Sequence, residues 1–224
     1  ILDNIEFDTK NEREIKGITS IDQWFTINPE GNYILLTDLD FTMTSKSCSV
    51  CNTYYGFSGI IDFNGHTVTV DTNLSIPLFA NIASEGIIKN LVFAVDLSSK
   101  LEIANKYLLF TNNYGTIDNL YVKILKTSKK ENRNIGVLGN NNFGTITNFV
   151  IDSQAELYGN QSVTYGVWTN SGIIKNGYIK GEGIHILGKI LSGNRYIGGL
   201  ARVNYVNGTI TNVYSLINVI IEEY

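Results

Sequence analysis

The residue types able to do acid–base or metal chemistry are sparse in this chain and gather in three places. Asp38, Asp40 and Asp62 fall near its start, with His66 just beyond. Carboxylates beside a cation or an imidazole are what calcium-assisted lyases and acid–base hydrolases of polysaccharides need. Such a site also needs acids from several segments converging on one face. The positions that recur after Asp62 are Lys89, Asp118, Thr147 and Lys175, so the row is broken and no catalytic residue is assigned. Asp38 and Asp40 are expected to bond turn backbone instead. The second place is the stretch 181–196, which holds His185, Lys189 and Arg195. Enlarged loops of this kind are where binding function often sits. The third is Cys48 and Cys51. One C-x-x-C pair lacks the four ligands of a structural zinc site and has no βαβ surround for redox work. It reads as a local disulfide or two free thiols, and no metal or cofactor is assigned.

A different chemistry is offered by aromatic rings. Tyr121, Tyr178 and Tyr214 each stand two residues after a recurring asparagine, with Val92 and Val150 at the equivalent places. If all point outward, three tyrosines share one β-face, and stacked exposed rings hold sugars or protein side chains. The plainer reading is that tyrosine simply favours strands and covers its aliphatic neighbours.

Those asparagines belong to a phrase that organises the chain: Gly, any residue, Ile, a polar residue, Asn, an apolar residue. Its anchors Gly86, Gly115, Gly144, Gly172 and Gly208 lie 29, 29, 28 and 36 residues apart, with a weaker copy at Gly59. A second phrase runs in step and aligns Phe79, Phe110, Leu138, Trp168 and Leu200 just before an Asn-rich turn. A fixed period of this length marks a solenoid or array. Each segment is short, rich in Ile, Val, Thr, Tyr and Phe, and bounded by Gly and Asn, which is strand chemistry. Alternation points Ile88, Ile117, Ile146, Ile174 and Ile210 inward and their polar neighbours outward.

One such unit cannot bury its apolar face, whereas stacked units can. The fold expected is all-β: a right-handed parallel β-helix of about six to seven coils, a rod of roughly 30 Å. Asn90, Asn119, Asn148, Asn176 and Asn212 should then stack in a structural column at a bend, each amide bonding the next. The glycine ahead of each admits a positive φ or a close backbone approach. Residues 32–224 are assigned to the β-helix and 1–31 to an N-terminal segment. Within the latter, Ser20 and Gln23 suit a capping box. Ile21, Trp24 and Phe25 fall on one helical face, giving a short helix that caps the solenoid.

Charged residues make up 17% of the 224, the net charge is −4 and the pI about 5.2. This balance argues against nucleic acid or an anionic membrane as partner. No apolar run is long enough to insert as a transmembrane helix. The wealth of Asn, Thr, Ser, Gly and Tyr suits an extracellular or cell-surface protein. The first and last residues, Ile1 and Tyr224, suggest a piece of a longer chain with further domains.

The runs Tyr33-Ile34-Leu35, Asp38-Leu39-Asp40-Phe41, Asp62-Phe63-Asn64-Gly65-His66 and Lys89-Asn90-Leu91 carry a resemblance. They resemble the repeat region of large Gram-positive surface proteins, among them the streptococcal IgA1-protease-like zinc metalloproteases. The later runs Ile197-Gly198-Gly199-Leu200 and Gly208-Thr209-Ile210-Thr211-Asn212-Val213-Tyr214 are similar to the GLUG motif of the same proteins and of bacterial adhesins. The likeness spans roughly residues 17–215. It implies a β-solenoid and brings no catalysis, because the zinc-binding HExxH of those enzymes is absent. The function expected is a non-catalytic stalk or binding module for a host or matrix protein or glycan. The alternatives are a substrate-docking accessory region of such a metalloprotease and a polysaccharide lyase or hydrolase of β-helix fold.

Overall fold

The computed structural model describes residues 14–42, 56–71, 77–98, 106–127, 134–159, 162–187 and 196–222. The molecule is a β-solenoid built almost wholly of parallel strands. Its main sheet runs, rung by rung, through Ile15–Ile18, Asn32–Leu35, Ile60–Asp62, Ile87–Leu97, Thr116–Thr127, Thr145–Ser153, Ile173–Gly181 and Thr209–Leu216. A second sheet stacks Phe79–Ile82, Phe110–Asn113, Gly139–Asn142, Val167–Asn170 and Ala201–Asn204. A third stacks Lys106–Tyr107, Asn134–Gly136, Ser162–Thr164 and Tyr196–Gly198. Leu157–Gly159, Ile184–Leu187 and Val219–Glu222 form a fourth. The third sheet's four strands mean that four coils carry strands on all three main sides among the described residues, against the six to seven expected. Upstream of them the first two sheets continue. The strand Ile15–Ile18 pairs with Asn32–Leu35, so the sheet runs across residue 31.

The core is what alternation demands. Ile88, Ile117, Ile146 and Ile174 are shut off from solvent, each under its equivalent in the next coil. Ile210, in the last described coil, is 38% exposed, because none of the described residues stacks above it. Size complementarity runs along the inward columns. Phe110 lies beneath Gly139, and a Cβ placed on that glycine would fall 2.1 Å from the ring. Phe149 and Gly177 repeat the arrangement one side round.

The bend in each long strand is made by asparagine itself. Asn64, Asn90, Asn119, Asn148, Asn176 and Asn212 all adopt φ between 52 and 57°. Asparagine tolerates this left-handed region better than other residues with a Cβ. The anchor glycines serve the second of the two roles expected of them, close approach. A Cβ on Gly115, Gly144 or Gly172 would lie 2.1–2.2 Å from the carbonyl oxygen of the glycine below.

A helix, α1 (Ile21–Trp24), joins the first two rungs. Ser20 is its N-cap, with Oγ accepting from the Gln23 N–H at 3.3 Å. The reciprocal bond reaches one residue further back than a capping box predicts: Gln23 Oε1 accepts from the Thr19 N–H and hydroxyl, not from Ser20. Trp24 is fully buried, 5.6–5.9 Å from the rings of Phe41, Phe63 and Phe79. No helix of the described residues is long and apolar enough to cross a membrane.

Candidate functional site

Beyond the asparagine bend, the outward residues of the main sheet stand in register from coil to coil. Tyr121 lies in register with Val92 on one side and Val150 on the other. Val150 adjoins Tyr178, and Tyr178 adjoins Tyr214. The three tyrosines and two valines therefore form a single file, with Tyr214 at its upper end 72% exposed. Two residues along the strands runs a second file: Ala94, Lys123, Asp152, Lys180 and Leu216.

The two files are tied together at Asp152. Its Oδ2 accepts from the Tyr121 hydroxyl at 3.0 Å and lies 2.9 Å from Lys180 Nζ. Lys123 Nζ sits 5.3 Å from the centre of the Tyr121 ring. The hydrogen bond to Asp152 raises the pKa of Tyr121, and that of Lys180 rises for the same reason. Phenol and ammonium are thus both held in their protonated forms, and Asp152 offsets one of the two lysine charges of this patch.

The asparagine column stands at the bend. Asn119 Nδ2 donates to Asn90 Oδ1 at 2.8 Å, Asn176 to Asn148 at 3.3 Å and Asn212 to Asn176 at 3.3 Å. At one rung the pattern shifts: Asn148 donates to Asp118 instead of Asn119. The lower end rests on Asp62, which accepts from Asn90 at 2.8 Å.

The carboxylates of the first coils are engaged in turns and pairs. Asp62 also accepts from the Asn64 N–H and lies 3.2 Å from Lys89 Nζ. Burial pushes its pKa up, but the amide of Asn90, the backbone of Asn64 and Lys89 together outweigh that and hold it below the usual value. Asp38 accepts from the Thr67 N–H at 2.8 Å, which lowers its pKa, and from His66 Nδ1 at 3.2 Å. Asp40 accepts from both the N–H and the hydroxyl of Thr42. Among the described residues no three of His, Cys, Asp and Glu meet as candidate metal ligands.

His185 lies on the strand Ile184–Leu187, paired with Tyr158 below and Ile220 above. Lys189, Arg195, Cys48 and Cys51 lie outside the described residues.

Three groupings escaped the sequence reading. The first is a corner cluster in which the Arg202 guanidinium lies 4.7 Å over the Trp168 ring and Tyr107 meets that ring edge-on at 5.2 Å. Burial pushes the Tyr107 hydroxyl up to about 12, against the opposing pull of Arg202's charge. The second is an amide ladder at the inside of the opposite corner, buried at its first three members and exposed at the last, Asn204. Asn113, Asn142, Asn170 and Asn204 are joined Nδ2 to Oδ1 at 2.7–2.8 Å. The third is an exposed file on the outside of that corner, where Tyr114 and Phe143 stack at 4.9 Å with their planes 9° apart. The signal was present for the last: an aromatic stands immediately before Gly115 and Gly144.

The second phrase needs a correction of register. The structure aligns Phe79, Phe110, Gly139, Val167 and Ala201, one residue away from the sequence alignment in the last three coils. A one-residue slip exchanges the two faces of a strand, so Trp168 and Arg202 point outward, not into the core.

Comparison with protein-family models, with curated proteins and with solved structures finds no match to this chain.

Proposed function

We propose that this chain is a non-catalytic β-solenoid module of a secreted or cell-surface protein, a stalk that also presents a binding face to a host or matrix protein or glycan. The observation that carries the reading is the in-register outward file of Tyr121, Tyr178 and Tyr214, flanked by Lys123, Asp152 and Lys180. A sheet whose rungs hold rings in file recognises partners by stacking, at little ordering cost. The same proposal takes the solenoid as right-handed, α1 as the cap of its N-terminal end through Trp24, and the repeats as kin to the GLUG-bearing regions of bacterial surface proteins.

The test is retention of mucosal proteins or of glycans on an array by the 224-residue chain, repeated with Tyr178→Ala and Tyr214→Ala. Retention that falls in both variants supports a binding face. If nothing is retained, the chain is a spacer. Turnover of a polysaccharide would replace this reading with an enzymatic one.

A further inference from the structure

At the corner between the second and main sheets, one residue per coil makes the same backbone hydrogen bond; a single glycine separates it from the main-sheet strand in three coils, and the turn Val206-Asn207-Gly208 does so after Tyr205. Its N–H donates to the inward residue of the coil below: Tyr114 to Ile82, Phe143 to Asn113, Ser171 to Asn142 and Tyr205 to Asn170. The file is therefore ring, ring, hydroxyl, ring. Tyr114, Phe143 and Tyr205 are 49, 45 and 52% exposed, in file along one corner. Where two rings adjoin they stack on each other. Where Ser171 interrupts them, the file carries a notch with Phe143 below it and Tyr205 above.

The notch has a size and a chemistry. Two rung spacings separate Phe143 from Tyr205, roughly 9–10 Å. One chair-form pyranose, its C–H faces turned to a ring on each side, fills that separation, whereas a flat aromatic would sit loosely in it. The sides are mixed: Thr169 and the exposed Ile173 flank the notch on its own rung, with hydroxyls, an amide and Val203 on the rungs around them. Thr145 and Thr209 follow the anchor glycines on the rungs below and above, and Thr169 bonds Asn141 at 2.6 Å on the other flank. The segments 140–146, 168–174 and 203–209 contain no Asp, Glu, Lys, Arg or His. An uncharged corner offers nothing to neutralise a uronate, a sulfate or a phosphate.

We propose that the Ser171 notch binds one pyranose ring of a neutral glycan, clasped between Phe143 and Tyr205. The proposal rests on the binding-module reading above and narrows its ligand. It places recognition on the corner and not on the face of Tyr121, Tyr178 and Tyr214, so the two can fail separately.

The test is calorimetric titration of the 224-residue chain with cellohexaose, xylohexaose, laminarihexaose and mannohexaose, and with hexagalacturonate as the charged control. At least one neutral hexaose should bind and hexagalacturonate should not. Ser171→Tyr, which fills the notch with a ring, and Tyr205→Ala, which removes its upper wall, should each weaken binding about tenfold or more. Circular dichroism checks that the variants fold. If Ser171→Tyr does not, Phe143→Ala removes the other wall without adding bulk and must give the same loss. The proposal is overturned if no neutral hexaose binds at millimolar concentration, if hexagalacturonate binds as well, or if the corner variants bind like the parent. Binding that is lost in Tyr178→Ala but unchanged in Ser171→Tyr overturns the notch and leaves the binding module standing.

Discussion

Asn113 and Asn142 face each other across one rung at the inside of a corner, the Nδ2 of the first donating to the Oδ1 of the second at 2.8 Å, both shut off from solvent. Asn142 passes the bond on to Asn170 at 2.7 Å and also reaches the Gly144 carbonyl at 3.3 Å. The Asn113 Oδ1 accepts from the Gly115 N–H. The ladder thus joins the coils to one another and satisfies the backbone of each turn. Asn142→Ala leaves a buried donor below and a buried acceptor above without partners. It should cost about 2–4 kcal/mol. Asn119→Gly, in the exposed column, should cost only about 1 kcal/mol, because glycine keeps the left-handed backbone and loses the amide bond alone. Urea unfolding of the two variants measures the difference, and equal losses would refute the distinction.

The bend at Asn119 separates two contributions of one side chain. Its backbone sits at φ 55°, and its amide bonds Asn90. Asn119→Gly keeps the first and loses the second, so its loss should stay near 1 kcal/mol. Asn119→Val loses both and should cost about 2–3 kcal/mol. Thermal melting of the pair gives the order, which reverses if strand propensity governs this position.

Phe110 and Gly139 share one volume. Gly139→Ala drives a methyl into the Phe110 ring and should destabilise by about 1–3 kcal/mol. Phe110→Leu alone opens a cavity and should also destabilise. In the double variant each change relieves the other, so its loss should be smaller than the sum of the singles. A double-mutant cycle by chemical unfolding reads that coupling.

Tyr107 supplies a pH dependence with a definite sign. Burial raises its folded pKa from the ordinary 10 to about 12. Between pH 10 and 12 the unfolded chain ionises this phenol while the folded chain keeps it protonated. Its contribution is therefore fully present below pH 10 and is lost as pH rises through 12. Because the ring is only partly buried, the loss should be about 1–2 kcal/mol after solvent screening. Tyr107→Phe should lose less stability than the parent over that window in unfolding measured at stepped pH.

The repeat, the strands and the inward isoleucines were legible along the chain because they depend on periods of two and of 28–29 residues. The asparagine column was legible for the same reason: Asn90, Asn119, Asn148, Asn176 and Asn212 hold one place in the phrase. Runs such as Asn112-Asn113 and Asn140-Asn141-Asn142 were not, since the residue type is the same whichever way it points. Only pairing across rungs shows Asn112 and Asn141 bonded on the outside and Asn113 and Asn142 inside. The candidate face of Tyr121, Tyr178 and Tyr214 was visible as spacing, but its tie to Asp152 and Lys180 was not.

By itself the sequence determined that this chain would coil, with what period, and which asparagine would bend each long strand, because those are local properties repeated often enough to be read. The tertiary structure alone decided the register in which the coils lie. With it came which asparagines are buried, which glycine shelters which ring, and where Ser171 leaves a gap between Phe143 and Tyr205. The physical reason is that a strand offers two faces at almost equal local cost. The choice between them is made only when neighbouring rungs pack and each side chain finds, or lacks, a partner one rung away.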